Sequence, residues 1–176
     1  FRRYTMYLYL IQIQIREDVF ALYYNGASIL SGGKRMDTKF SVAVHVLILI
    51  SEASTPLNSD QMAVSVGTNA SYVRKILALL KKSGVVNSHR GARGYTLTTT
   101  PEQITLLRIY QAVMEKTQIH LLDVHQNAND QCVVGRHIGP VLNGMFEGME
   151  DAFARMLSER TLADCIAAIR AEMDHN

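Results

Sequence analysis

The sequence predicts a mainly α-helical chain carrying one small β-hairpin, and three observations lead there. Apolar residues recur at helical spacing through most of the chain after Met36. Asn, Ser, Thr and Gly stand at the joints between these stretches, where helices start and stop. Two short stretches rich in β-branched residues, 85–88 and 95–98, flank a basic turn that contains glycine. A composition of 48% apolar and 19% charged residues suits a packed core and argues against disorder.

The first 35 residues stand apart. Residues 6–15 are apolar but interrupted by Gln12 and Gln14, and Arg2 and Arg3 precede them. A signal peptide would then need a small-residue cleavage site, and Arg16, Glu17 and Asp18 follow instead. Gly32-Gly33-Lys34-Arg35 can be encoded by a purine-rich stretch directly before the Met36 codon, as a translated ribosome-binding site would be. We expect Met36 to be the native start and residues 1–35 to be an upstream extension; the alternative is a genuine N-terminal arm, ordered only if tied down.

From Met36 the elements follow in order. Residues 39–51 are almost continuously apolar and too many for a usual strand, which predicts a buried helix despite the β-branched content. Pro56 closes the next loop. Asn58 or Ser59 caps a short helix through residue 66 with Asp60 in its first turn, and Gly67 ends it. Thr68 or Asn69 caps a second helix, residues 70–82, which Gly84 terminates. Two short helices joined by a tight glycine-containing turn form a helix-turn-helix.

In the second helix Val73, Ile76, Leu77 and Leu80 make one apolar stripe, and Ser71, Arg74, Lys75, Lys81 and Lys82 lie off it. A stripe that holds the scaffold beneath long cationic side chains suits a helix that reaches phosphates and base edges. The hairpin follows at once, with His89-Arg90-Gly91-Ala92-Arg93-Gly94 between its strands. Arginines at a hairpin tip directly after such a helix describe a wing, able to lay Arg90 or Arg93 into the minor groove or along the backbone. The expected fold is therefore a winged helix-turn-helix over residues 36–100, with double-stranded DNA as partner. Its candidate contacts are Asn69, Ser71, Tyr72, Arg74, Lys75, His89, Arg90 and Arg93.

Pro101 and Glu102 open a third helix to about residue 115, with Ile104, Leu107, Ile109 and Val113 on its apolar side. A loop follows to residue 131. Gly135 begins a longer helix to about residue 159, in which Pro140 is tolerable only near the first turn. Along it Ile138, Val141, Leu142, Met145, Phe146, Met149, Phe153, Met156 and Leu157 recur every three or four residues. We expect Val141, Leu142, Met145, Phe146, Met149, Phe153 and Met156 to pair with a second copy of the chain in a homodimer. Thr161 caps a last helix. Residues 101–176 thus form a helical linker, a sensor loop and a dimerisation region.

Charge divides along the same line. Residues 36–98 carry a net +4, residues 99–176 a net −5 and the first 35 residues +3. The basic part can meet a polyanion that the acidic part would repel.

The order of these residues resembles the Rrf2 family of bacterial regulators, from about residue 36 to 168. The carriers are Asn69-Ala-Ser-Tyr-Val-Arg-Lys-Ile-Leu, Gly84-Val-Val-Asn-Ser-His-Arg-Gly with the later Gly94-Tyr-Thr-Leu, Pro101-Glu-Gln-Ile-Thr-Leu, Cys132-Val-Val-Gly-Arg and Thr161-Leu-Ala-Asp. The resemblance implies a transcriptional regulator, typically a repressor, whose dimer is crossed by the long helix and binds a partly palindromic operator. Cluster-binding members carry three cysteines in the loop before that helix, whereas this chain has only Cys132 there. We therefore expect no cofactor and no iron–sulfur cluster. The wing departs from the family in Ala92-Arg93, and the second helix in Arg74-Lys75, which bears on operator sequence.

Two signals remain in the loop. His120, His125, Cys132 and His137 fall within 18 residues but match no standard ligand spacing, so we expect exposed histidines and no metal site. Cys132, at a helix start and near Arg136, is either a packing cysteine or a thiol of lowered pKa serving as a redox sensor. Cys165 falls on an apolar helix face. Two cysteines fit a reducing cytosol, and no apolar run approaches the roughly 20 residues that span a bilayer. The sequence has no Ser/His/Asp order, glycine-rich phosphate loop or helix-borne carboxylate pair, so no enzyme is expected. A winged-helix protein-interaction adaptor is the remaining class, and the basic wing counts against it.

Overall fold

The computed structural model describes residues 38–89 and 94–174. The expectations for residues 1–35, for the start at Met36 and for Arg90 and Arg93 at the wing tip fall outside them.

Helix α1 (Lys39–Glu52) is the central element, which explains its nearly continuous apolar run. Ala43 and Leu47 enter one core cluster with Ile76, Leu80, Val85, Val86, Ile104 and Ile109. Val46, on the other side, enters a second cluster with Met62, Ala63, Val73 and Leu77. A helix packed on two sides has no polar face to spare. His45 donates to or accepts from the Ser65 hydroxyl at 3.1 Å, and burial pushes its imidazole pKa down.

The helix-turn-helix follows the sequence closely. In α2 (Ser59–Val66), Asn58 is the cap: its side chain accepts from the backbone N–H groups of Asp60 and Gln61, while Gln61 accepts from Asn58 in return. Gly67 then turns the chain with φ +70°, a left-handed conformation that disfavours side chains. Asn69 caps α3 (Ala70–Lys82) by accepting from the Tyr72 N–H at 2.8 Å. The stripe Val73, Ile76, Leu77 and Leu80 is fully buried. Strands β1 (Val86–Ser88) and β2 (Tyr95–Leu97) pair antiparallel, with Asn87 opposite Thr96.

The third predicted helix is two elements. Pro101–Gln103 is a single 3-10 turn, Ile104 is extended, and Thr105 caps α4 (Leu106–Met114). The break has a distant cause. The Leu106 N–H donates to the Arg160 carbonyl and the Leu162 N–H to the Ile104 carbonyl, both at 2.8 Å, so residues around Thr105 and Thr161 form a short antiparallel bridge.

Helix α5 (Val133–Ser158) starts two residues before Gly135 and continues through Pro140, well past the first turn expected to be its limit. Arg136 and Pro140 are exposed, so water can serve the Arg136 carbonyl that proline leaves without a donor. The far end of α5 rests on α4 through a third cluster of Tyr110, Ile119 and Leu157, with Phe153 and Phe40 beside it. Helix α6 (Leu162–Asp174) then returns to α1. Leu162 and Ile166 join the first cluster, and the Arg170 guanidinium lies 2.7 Å from the Glu52 carboxylate.

Candidate nucleic-acid interface

Helix α3 buries one face and presents the other. Ser71, Arg74, Lys75, Lys81 and Lys82 are all exposed, opposite a stripe with no accessible surface. The cations do not form one uniform row. Arg74 Nη1 donates to Ser59 Oγ at 3.0 Å and Nη2 to Ser71 Oγ at 3.2 Å, which holds the guanidinium across the junction of α2 and α3. Lys81 Nζ donates to Ser88 Oγ at 2.6 Å and so joins the end of α3 to β1. Lys82 points elsewhere, to Glu115 at 2.8 Å; that pair raises the lysine pKa and lowers the glutamate pKa.

Two predicted contacts have structural duties. Asn69 is exposed, but its side-chain oxygen is engaged as the α3 cap. Tyr72 is half-buried and packs against the first cluster. At the wing base, the His89 N–H donates to the Gly94 carbonyl at 3.0 Å, and His89 Nε2 shares a hydrogen bond with Thr96 Oγ1 at 2.9 Å. Gly94 has φ +60°, and a Cβ there would meet Pro56 Cβ at 2.9 Å and the Leu57 carbonyl oxygen at 3.0 Å. Glycine thus lets the wing settle beneath the loop between α1 and α2.

The long helix differs in kind. Val141, Met145, Met149 and Met156 are 53–64% exposed and share one side. Leu142, Phe146 and Phe153 are half-buried, and Phe153 packs within its own chain on the third cluster. The preceding loop is fastened to this helix by a residue absent from the candidates above. Glu150 is buried, and its Oε1 accepts from the backbone N–H groups of Leu121 at 2.6 Å and Leu122 at 3.0 Å. Those bonds, aided by His120 at 3.5 Å, hold its carboxyl below the usual range. A glutamate amid an apolar stripe gives no local sign of such a role. Ser59 was visible only as an alternative cap.

Cys132 is exposed at the start of α5. The N–H groups of Gly135 and Val134 lower its thiol pKa, whereas Arg136, expected beside it, donates to the Asp130 carbonyl at 3.1 Å. Cys165 is half-buried on α6, where burial pushes its thiol up. His120 bonds to Asp123 at 2.8 Å, and among the described residues no three His, Cys, Asp or Glu side chains gather as a metal-binding group. No described helix is long and apolar enough to cross a membrane.

Comparison with known proteins gives this geometry a context. A family model described as "Rrf2: Iron-dependent Transcriptional regulator" matches residues 36–168. The HTH-type transcriptional regulator YwnA of Bacillus subtilis is 36% identical over 129 residues, covering 73% of this chain and 95% of that protein. A crystal structure described as that of a DNA-binding protein superposes with TM-score 0.59 at 33% identity, over 73% of this chain and 98% of the other. CymR, the global cysteine regulator of B. subtilis, shares the fold with TM-score 0.59 at 20% identity, over 77% of this chain and 98% of its own.

Proposed function

Because the chain belongs to the Rrf2 family of transcriptional regulators, we propose that it acts as a homodimeric repressor on a partly palindromic DNA site. The observation that carries this reading is the exposed face of α3, where Arg74, Lys75 and Lys81 stand over a closed apolar stripe with the hairpin alongside. In this arrangement α3 enters the major groove. Ser71, Arg74 and Lys75 meet base edges and phosphates, Asn69 and Tyr72 shape the helix start, and His89, Arg90 and Arg93 follow the wing onto the neighbouring backbone. Residues 36–100 supply the reading surface. Within residues 101–176, α5 supplies the pairing surface: its exposed side chains form an apolar face that a two-fold copy covers. Two-fold symmetry calls for two half-sites about one helical turn apart. Repression is the simpler action because it requires occupancy alone.

A shift assay titrated with salt tests the DNA reading. Arg74→Ala or Lys75→Ala should weaken binding and lower the salt slope by about one unit each, with melting unchanged. Unchanged affinity in both variants removes α3 from the interface.

The family description speaks of iron, and the donor set of this chain does not suit a cluster. Cys132 is the sole thiol in the loop, and Cys165 is half-buried on α6. A cluster takes about four thiolates. Protein incubated with ferrous iron and sulfide should show no charge-transfer band and unaltered DNA binding.

One observation favours a second reading of the signal. The Cys132 thiol is exposed and held below its ordinary pKa by the helix start, which suits a thiolate open to oxidation. Mild peroxide should then release wild-type protein from DNA but not Cys132→Ser. Release of both, or of neither, assigns the signal elsewhere.

A further inference from the structure

We propose that Ser59 and Ser71 form a hydroxyl clasp that presets the Arg74 guanidinium for sequence discrimination, so that Ser59, on the first helix of the pair, is a positioning residue for the second. The inference rests on the reading of α3 as the groove-entering helix. It begins with a division of labour at the two helix starts. Asn58, not Ser59, caps α2, accepting from Asp60 and Gln61. Asn69, not Ser71, caps α3, accepting from Tyr72. Both serine hydroxyls are thereby released from the capping duty their type usually performs. Both accept from Arg74 instead, at 3.0 and 3.2 Å, one on each terminal nitrogen.

A guanidinium on an exposed helix face ordinarily samples many rotamers, and a bidentate contact to a base requires one plane. The clasp engages two of its five N–H donors and leaves the others for a fork. Because the hydroxyls belong to different helices, the plane of the fork is referred to the helix-turn-helix as a unit. Preorganisation of this kind raises affinity for the correct partner by lowering the ordering cost. It adds no charge, so attraction to DNA in general is untouched.

The experiment uses the full chain, a duplex recovered by the wild-type protein from a random-sequence pool, and poly(dI-dC) as the unspecific probe. Ser59→Ala should weaken the selected duplex about three- to tenfold, the loss of one modest preorganising bond. Binding to poly(dI-dC), the salt slope and the melting temperature should stay at wild-type values, and Ser59→Thr should restore the lost affinity. In an Arg74→Ala background Ser59→Ala should have no further effect. Wild-type affinity in Ser59→Ala overturns the clasp while leaving the α3 reading intact, provided Arg74→Ala is weakened. An equal loss in the Arg74→Ala background, or a loss on both probes, reduces Ser59 to a structural part of α2 and also overturns it. Wild-type affinity and slope in Arg74→Ala itself overturn the clasp, and the same result in Lys75→Ala as well removes the α3 reading with it.

Discussion

Helices α1 to α4 and helix α5 use similar apolar residues to opposite ends. In the first group Leu47, Met62, Ile76, Leu77, Leu80 and Ile109 have no accessible surface. In α5, Val141, Met145, Met149 and Met156 each leave more than half their surface open, although they recur at the same helical spacing. Apolar periodicity therefore identifies a face that must be covered without saying by what. For α3 the cover lies within the chain; for α5 the described residues supply it near Leu157, where α4 and the loop residue Ile119 close the third cluster. Along the rest of the helix Val141, Met145 and Met149 stay exposed, the face that the proposed pairing would cover.

Variants can break this contrast or sharpen it. The largest effect is expected from Met149→Asp. If a partner covers that face, an unpaired carboxylate there costs several kcal/mol of association, and sedimentation should find a monomer. The melting of that monomer should hardly change, because Met149 is 53% exposed within its own chain. A dimer that survives removes α5 as the seam. Next comes Leu162→Ala on α6. Leu162 has no accessible surface, so truncation should lower folding stability by about 2–5 kcal/mol in denaturant titration. A shift under 1 kcal/mol, on the scale of surface changes, would separate α6 from the core.

Gly94→Ala is intermediate. The left-handed backbone alone should cost about 1–2 kcal/mol. The added methyl would also press on Pro56 and Leu57, moving the wing relative to α3. DNA affinity should fall more than stability does, and equal losses would show that the wing position is unimportant for binding. The smallest effect concerns Glu150. Its pKa is lowered on folding, so the stabilisation is complete above its unfolded value near 4.5 and is lost as pH falls through the lower folded value. Wild type should exceed Glu150→Gln in stability at neutral pH, with the gap closing in acid. Faster hydrogen exchange at Leu121 and Leu122 in the variant should report the loosened loop. A gap independent of pH would mean that the charge is irrelevant.

The same contrast explains what could be read in advance. The ends of α2 and α3 were legible because their signals are local: Asn58, Gly67, Asn69 and Gly84 act within a turn of themselves. The α3 stripe and the hairpin were legible for similar reasons, since period and turn chemistry operate over a few residues. The break at Ile104 and Thr105 was not, because its cause is hydrogen bonding with residues near Thr161. Pro101 and Glu102 did mark a start, but of a 3-10 turn. Helix α5 starts two residues before the expected Gly135 and carries Pro140 beyond its first turn, because its opening turns lie in water. The contacts of Glu150 and Ser59 are not legible in the sequence, because each is made with a partner distant along the chain.

The return of α6 to the first cluster also sets an order in synthesis. A ribosome delivers α1 through α4 well before Leu162 and Ile166, with the loop and the whole of α5 between them. At about 5–20 residues per second that interval is on the order of several seconds. Throughout it, the side of the cluster that α6 will cover stays open, although α3 has already emerged. A chain terminated early therefore carries the basic face without the closed fold that steadies it. Chains that finish their core have necessarily also made α5, so the closed fold and the exposed apolar face of that helix are completed together.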